Sequence, residues 1–137
     1  MKNDITRREF IALNIAASVA VMSQTRLDRQ LTAREKLTLL AVARSMFPHE
    51  HASDMAYARG IAAIERQCRF HSEAFTTVVS GLASLEWSCG GQFCAVTHRM
   101  RVQALSAMED TKFFRLVYRR LLDGLYGNSD MWSLFLS

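Results

Sequence analysis

Apolar positions recur at intervals of three and four along most of the chain. Leu37, Leu40, Ala41 and Phe47 mark one face of a first helix, and Tyr57, Ile61, Ile64 and Cys68 one face of a second. Phe75, Val78, Val79, Leu82 and Leu85 mark a third; Val102, Leu105 and Met108 mark a fourth; Phe113, Phe114, Val117, Leu121 and Leu125 mark a fifth. That period belongs to helices that each bury one side. The helix ends are written in as well. Thr32-Ala33-Arg34-Glu35 reads as a capping box, in which the Thr32 hydroxyl accepts from the Glu35 amide while the Glu35 carboxylate accepts from the Thr32 amide. Ser53 and Thr97 are N-cap candidates, and Asp110 or Thr111 starts the last helix. Pro48 closes the first helix, because its ring disfavours a helical Phe47. Gly90-Gly91 breaks the pattern after Cys89, and Gly127 stops the fifth helix. One proline and six glycines leave little turn chemistry for a many-stranded sheet. The predicted fold is all-α, a small bundle of about five helices with short loops and antiparallel neighbours.

Residues 1–30 follow another pattern. A polar start with adjacent arginines leads into an apolar run over residues 10–22, and a polar stretch with Arg26 and Arg29 follows. A charged segment, a short apolar segment and small residues in that order form an export signal. The apolar run is too short for a bilayer, which takes about 20 such residues. Thr6-Arg7-Arg8-Glu9-Phe10-Ile11 resembles the twin-arginine export signature, with Arg7, Arg8 and Phe10 at its defining positions. Ala12 stands where a lysine is common. Asn14 and Ser18 keep the apolar run modest, which suits the same route, and Ser18-Val19-Ala20 offers small residues for cleavage. The chain therefore divides into a signal segment with linker, 1–30, and a helical domain, 31–137. The expected location is the periplasm.

Composition adds exclusions. At 137 residues the chain makes one domain. Its formal charge of +4 comes from seventeen basic and thirteen acidic residues, interleaved so that no broad nucleic-acid-binding face is implied. Arg115, Arg119 and Arg120 with Arg99 and Arg101 form a basic group toward the end, read first as a solvated face. Seven methionines and eight phenylalanines, with an apolar stretch at Met131, Trp132, Leu134 and Phe135, suggest surface for a protein partner.

Candidate chemistry is sparse. His49-Glu50-His51 with Asp54 holds metal-ligand types, but the two histidines do not share a helical face, and a solvated loop is the better reading. His71 and His98 are isolated, suited to helix ends. Cys89 and Cys94 could pair in an oxidising compartment if the Gly90-Gly91 break brought their Cα atoms within roughly 7 Å; the other reading makes both small core residues. Cys68 belongs to the buried stripe of the second helix. Their spacing fits neither haem attachment nor an iron–sulfur cluster. There is no phosphate-binding glycine loop or dinucleotide fingerprint, so no cofactor is expected on this chain.

From Leu31 to Phe135 the chain resembles subunit 3, the small subunit, of the gluconate 2-dehydrogenase family. The resemblance rests on Leu31-Thr32-Ala33-Arg34-Glu35, Phe47-Pro48-His49, Asp54 with Tyr57, Gly81-Leu82 with Leu85, Phe93, Met108-Glu109-Asp110-Thr111-Lys112-Phe113-Phe114, and Leu125-Tyr126-Gly127-Asn128 followed by Trp132. It implies a non-catalytic accessory subunit of a periplasmic FAD-dependent sugar or sugar-acid dehydrogenase. FAD would sit on the large subunit, a cytochrome c subunit commonly takes the electrons, and the twin-arginine translocase carries the assembly, which can remain associated with the membrane. Phe113, Phe114, Tyr126 and Trp132 are then the candidate partner contacts. Family members continue past the Tyr-x-Asn-x-x-x-Trp region with a glycine- and tyrosine-containing tail. Here Leu134-Phe135-Leu136-Ser137 stands instead, so the resemblance implies a C-terminally shortened member. The alternative is a stand-alone cytosolic helical binding module with nucleic acid as a candidate ligand, and a third reading is a metal enzyme using His49, His51 and Asp54.

Overall fold

The computed structural model describes residues 28–48 and 53–127. These form five α-helices and one short 3-10 turn, 78% helical, with no strand among the described residues. The helices are α1 (Ala33–Met46), α2 (Asp54–Phe70), α3 (Ser72–Ser88), α4 (His98–Ser106) and α5 (Lys112–Tyr126), with the 3-10 turn at Phe93–Ala95 between α3 and α4. The all-helical expectation holds.

The capping box at Thr32 is complete: the Glu35 amide donates to Thr32 Oγ1 at 3.1 Å and the Thr32 amide to Glu35 Oε1 at 2.8 Å. Thr97 and Thr111 cap α4 and α5 in the same sense, accepting from the Met100 and Phe114 amides. Ser53 stands at the N-cap of α2 without a side-chain cap bond. His71 ends α2 and begins α3, a junction one residue long whose side chain makes no cap bond. Gly90 and Gly91 turn the chain away from α3 with φ of +69° and +85°, a region glycine enters without the Cβ penalty.

Pairs across helices give the directions. Lys36 meets Glu65, and Arg44 meets Asp54, so α1 and α2 run antiparallel. Gly60 lies against Leu121 and Gly124, while Gln67 accepts from Arg120 Nε at 2.9 Å; α2 and α5 also run antiparallel, and theirs is the most extensive helix contact. A Cβ on Gly124 would fall 2.5 Å from Gly60 N and 2.7 Å from its Cα. The two helices therefore touch backbone to backbone, a distance only glycine permits. Gly81 of α3 plays the matching part against a side chain, since its Cβ would fall 2.1 Å from Phe113 Cγ.

The expected faces of α2 and α3 are buried residue for residue. That of α1 is rotated, apart from Phe47 just past its end, which is buried as expected. Leu37 is 61% exposed and Leu40 and Ala41 are half-buried, while Thr38, Leu39, Val42, Ala43 and Ser45 face the core. The helix is apolar on two sides, so the spacing alone admits both. Thr38 and Ser45 fit inside because their hydroxyls donate to the carbonyls of Arg34 (3.1 Å) and Ala41 (2.7 Å), meeting their hydrogen-bonding demand one turn back. In α4 only Leu105 is buried; Val102 is exposed and Met108 lies just past the helix. Leu31 joins the core, as does Phe93 from the 3-10 turn.

Candidate partner-binding face

Three rows of side chains run along α5, each repeating every four residues. Phe113, Val117, Leu121 and Leu125 form the buried row. One residue further on, Phe114, Tyr118, Leu122 and Tyr126 form a second, half-buried except for Tyr118 at 41% exposure. Arg115, Arg119 and Asp123 form a third, exposed row. Four residues make slightly more than one turn, so such rows stay side by side over the length of a helix.

The middle row is an aromatic ladder that continues onto α1. The Phe114 and Tyr118 rings stack with centroids 5.9 Å apart, Tyr118 lies 5.2 Å from Phe47, and Tyr126 meets Phe47 edge-on at 6.2 Å. Phe47 is held from behind, because the buried Tyr57 hydroxyl donates to its carbonyl at 2.5 Å. Arg44 lies 4.9 Å from the Tyr57 ring centroid, a favourable cation–ring approach, and its guanidinium also binds the Asp54 carboxylate. Burial, with Tyr118 and then Tyr57 adding to it, pushes the Tyr126 phenol above its ordinary range. Beside the ladder a groove is lined by Gln67, Phe114, Tyr118 and Leu122 with Arg115 and Arg119. Arg115 also donates one guanidinium N–H to the Asp110 carbonyl at 2.6 Å. Arg119 makes no hydrogen bond or ion pair among the described residues.

The residues expected to meet a partner thus separate. Phe114 and Tyr126 stand on the ladder. Phe113 does not: it is 3% exposed, pressed against Gly81, and is corrected here from a contact residue to a core residue. Trp132 lies outside the described residues, as do Arg7, Arg8 and Phe10 of the expected export signal and His49, Glu50 and His51 of the histidine group. Tyr118 was not singled out by sequence, although its place four residues after Phe114 and eight before Tyr126 gives it away once the rows are drawn. Arg99 and Arg101 do not extend the α5 row: they belong to α4, and Arg101 turns inward to donate to the Cys94 carbonyl at 3.2 Å.

Cys89 and Cys94 are separate thiols in this structure, Cys89 half-buried and Cys94 exposed with its Sγ 3.8 Å from the Leu37 carbonyl. Neither is a core residue in full. Cys68 is, and burial, followed by the nearby Glu35 and Glu65, pushes its thiol up to about 12. Asp54, the described member of the histidine group, is engaged by Arg44. Among the described residues no three His, Cys, Asp or Glu side chains gather as metal ligands, and no helix is long and apolar enough to cross a membrane.

Comparison with known proteins finds no matching family model, and no curated protein or solved structure matches the chain.

Proposed function

We propose that the chain is a non-catalytic small subunit of a periplasmic FAD-dependent sugar or sugar-acid dehydrogenase of the gluconate 2-dehydrogenase type, stabilising the flavin subunit and escorting it through twin-arginine export. The observation that carries the reading is the Thr6-Arg7-Arg8-Glu9-Phe10-Ile11 pattern ahead of a helical domain with an ordered series of short segments that resemble that family. The twin-arginine route moves folded proteins, so a chain with such a leader can bring a loaded partner with it. The aromatic ladder of α5 supports the reading as well, since partly exposed rings on a rigid helix make protein contacts at low entropic cost.

The test is fractionation of cells expressing tagged wild type beside Arg7→Lys/Arg8→Lys, with absorbance of the periplasmic pull-down read for flavin. Arginine-dependent export with a flavoprotein attached is the expected result. Export of the chain alone would remove the escort role. A soluble cytosolic wild type would remove both, and the stand-alone binding module would take its place. That second reading draws on Arg115 and Arg119 beside the Tyr118 ring, a combination single-stranded nucleic acids also use.

A further inference from the structure

The face of α5 is asymmetric in two directions. Across the helix, an apolar aromatic row adjoins a charged row. Along it, the charge changes sign: Arg115 and Arg119 occupy the first turns and Asp123 the last. Each row advances about 6 Å per residue pair, so a complementary surface must carry its own rows at that spacing, as another helix does when ridges of every fourth residue interdigitate. We infer that this face receives an acidic amphipathic helix of a partner protein, its apolar ridge on Phe114, Tyr118 and Leu122 and its carboxylates opposite Arg115 and Arg119. The inference deepens the accessory-subunit reading and rests on it only for the identity of the protein that supplies the helix.

Charge complementarity favours this occupant over a nucleic acid. Asp123 and Glu109 line the same groove and repel any anion beside them, so a continuous phosphate backbone following the groove meets them, whereas a helix can place its carboxylates opposite Arg115 and Arg119 alone. Arg120, the third arginine of the segment, donates to Gln67 and Arg115 gives one N–H to the Asp110 carbonyl, so the donors still open to a partner, those of Arg119 and the rest of Arg115, stand about one turn apart rather than in a track. Two arginines one turn apart do match carboxylates one turn apart on a facing helix, each able to form a paired-donor contact.

Purified full-length protein would be titrated with three fluorescein-labelled probes. One is a helical peptide with leucine and tryptophan at every fourth position and glutamate beside them; the second has glutamine for each glutamate; the third is oligo-dT of similar length. The acidic peptide is expected to bind at least roughly tenfold more tightly than its glutamine counterpart. Arg115→Glu/Arg119→Glu should abolish the difference, while Arg66→Glu/Arg99→Glu, with the same change in net charge on exposed positions elsewhere, should keep it. Circular dichroism would show that both variants remain helical. Equal affinity for the two peptides, equal loss in the two variants, or tighter binding of oligo-dT than of the acidic peptide would each overturn the inference. The pull-down for flavoprotein, repeated with both variants, separates the two proposals. A flavoprotein retained by Arg115→Glu/Arg119→Glu overturns the α5 face and leaves the accessory role standing. A wild type that binds the acidic peptide but recovers no flavoprotein supports the face and overturns that role.

Discussion

Gly124 has another residue's backbone where its side chain would be. Alanine is better than glycine in a helix by about 1 kcal/mol, yet here its methyl would enter the space of Gly60 N and Cα, atoms that cannot rotate aside. We expect Gly124→Ala to cost a net of about 1–3 kcal/mol, read as a lower urea midpoint by circular dichroism; a midpoint at or above wild type would mean that α2 and α5 stand further apart than described. Cys68 makes a prediction of another kind. Its thiol ionises near 9.0 in an ordinary environment and near 12 where it is buried in the fold. Between those values the unfolded chain binds fewer protons than the folded one. The stability it confers is therefore complete below pH 9 and declines as pH rises toward 12, by up to about 1.4 kcal/mol per pH unit. Comparing urea midpoints of wild type and Cys68→Ala across that range isolates the effect: the gap between them should narrow with rising pH, and a constant gap would show that the thiol ionises alike in both states.

Among the elements, the capping signals divide cleanly into those that act and one that does not. Thr32→Ala removes an acceptor that α1 uses and should cost about 1 kcal/mol, whereas Ser53→Ala removes a hydroxyl that makes no cap bond and should cost a few tenths at most. Thermal melts of the two variants side by side would check it, with equal shifts counting against the difference in capping. Helix existence, order and most boundaries were legible in the sequence, because caps and a three-four spacing are local signals. The orientation of α1 was not, since Leu37-Thr38-Leu39-Leu40 offers apolar residues on adjoining faces and the choice falls to the neighbours. The inward-facing Thr38 and Ser45 even argue for the wrong side until their backbone bonds are seen. On α5 the reading gave Phe113 and Phe114 one role, although adjacent residues on a helix point about 100° apart and Gly81 leaves room for only the first. The aromatic ladder was hidden as well: Phe47 and Tyr118 are distant in sequence, and only the packing of both α1 and α5 against α2 brings the rings together.

At the scale of the whole molecule, the described residues form one core to which every helix contributes, and the α5 face lies on its outside. The proposed function rests on the twin-arginine-like pattern and on an ordered resemblance; the bundle adds a surface of definite chemistry that the sequence pattern alone did not delimit. The contact between Gly60 and Gly124 has a consequence for synthesis. Two smooth backbone surfaces with no side chains between them give each other shape and offer little to any substitute. The residues that meet there are separated by most of the helical domain, so loop closure must be completed before that contact contributes. While the ribosome is still making α3 and α4, the glycine side of α2 has nothing to close against. The contact between α2 and α5 consequently forms only after α5 has left the ribosome.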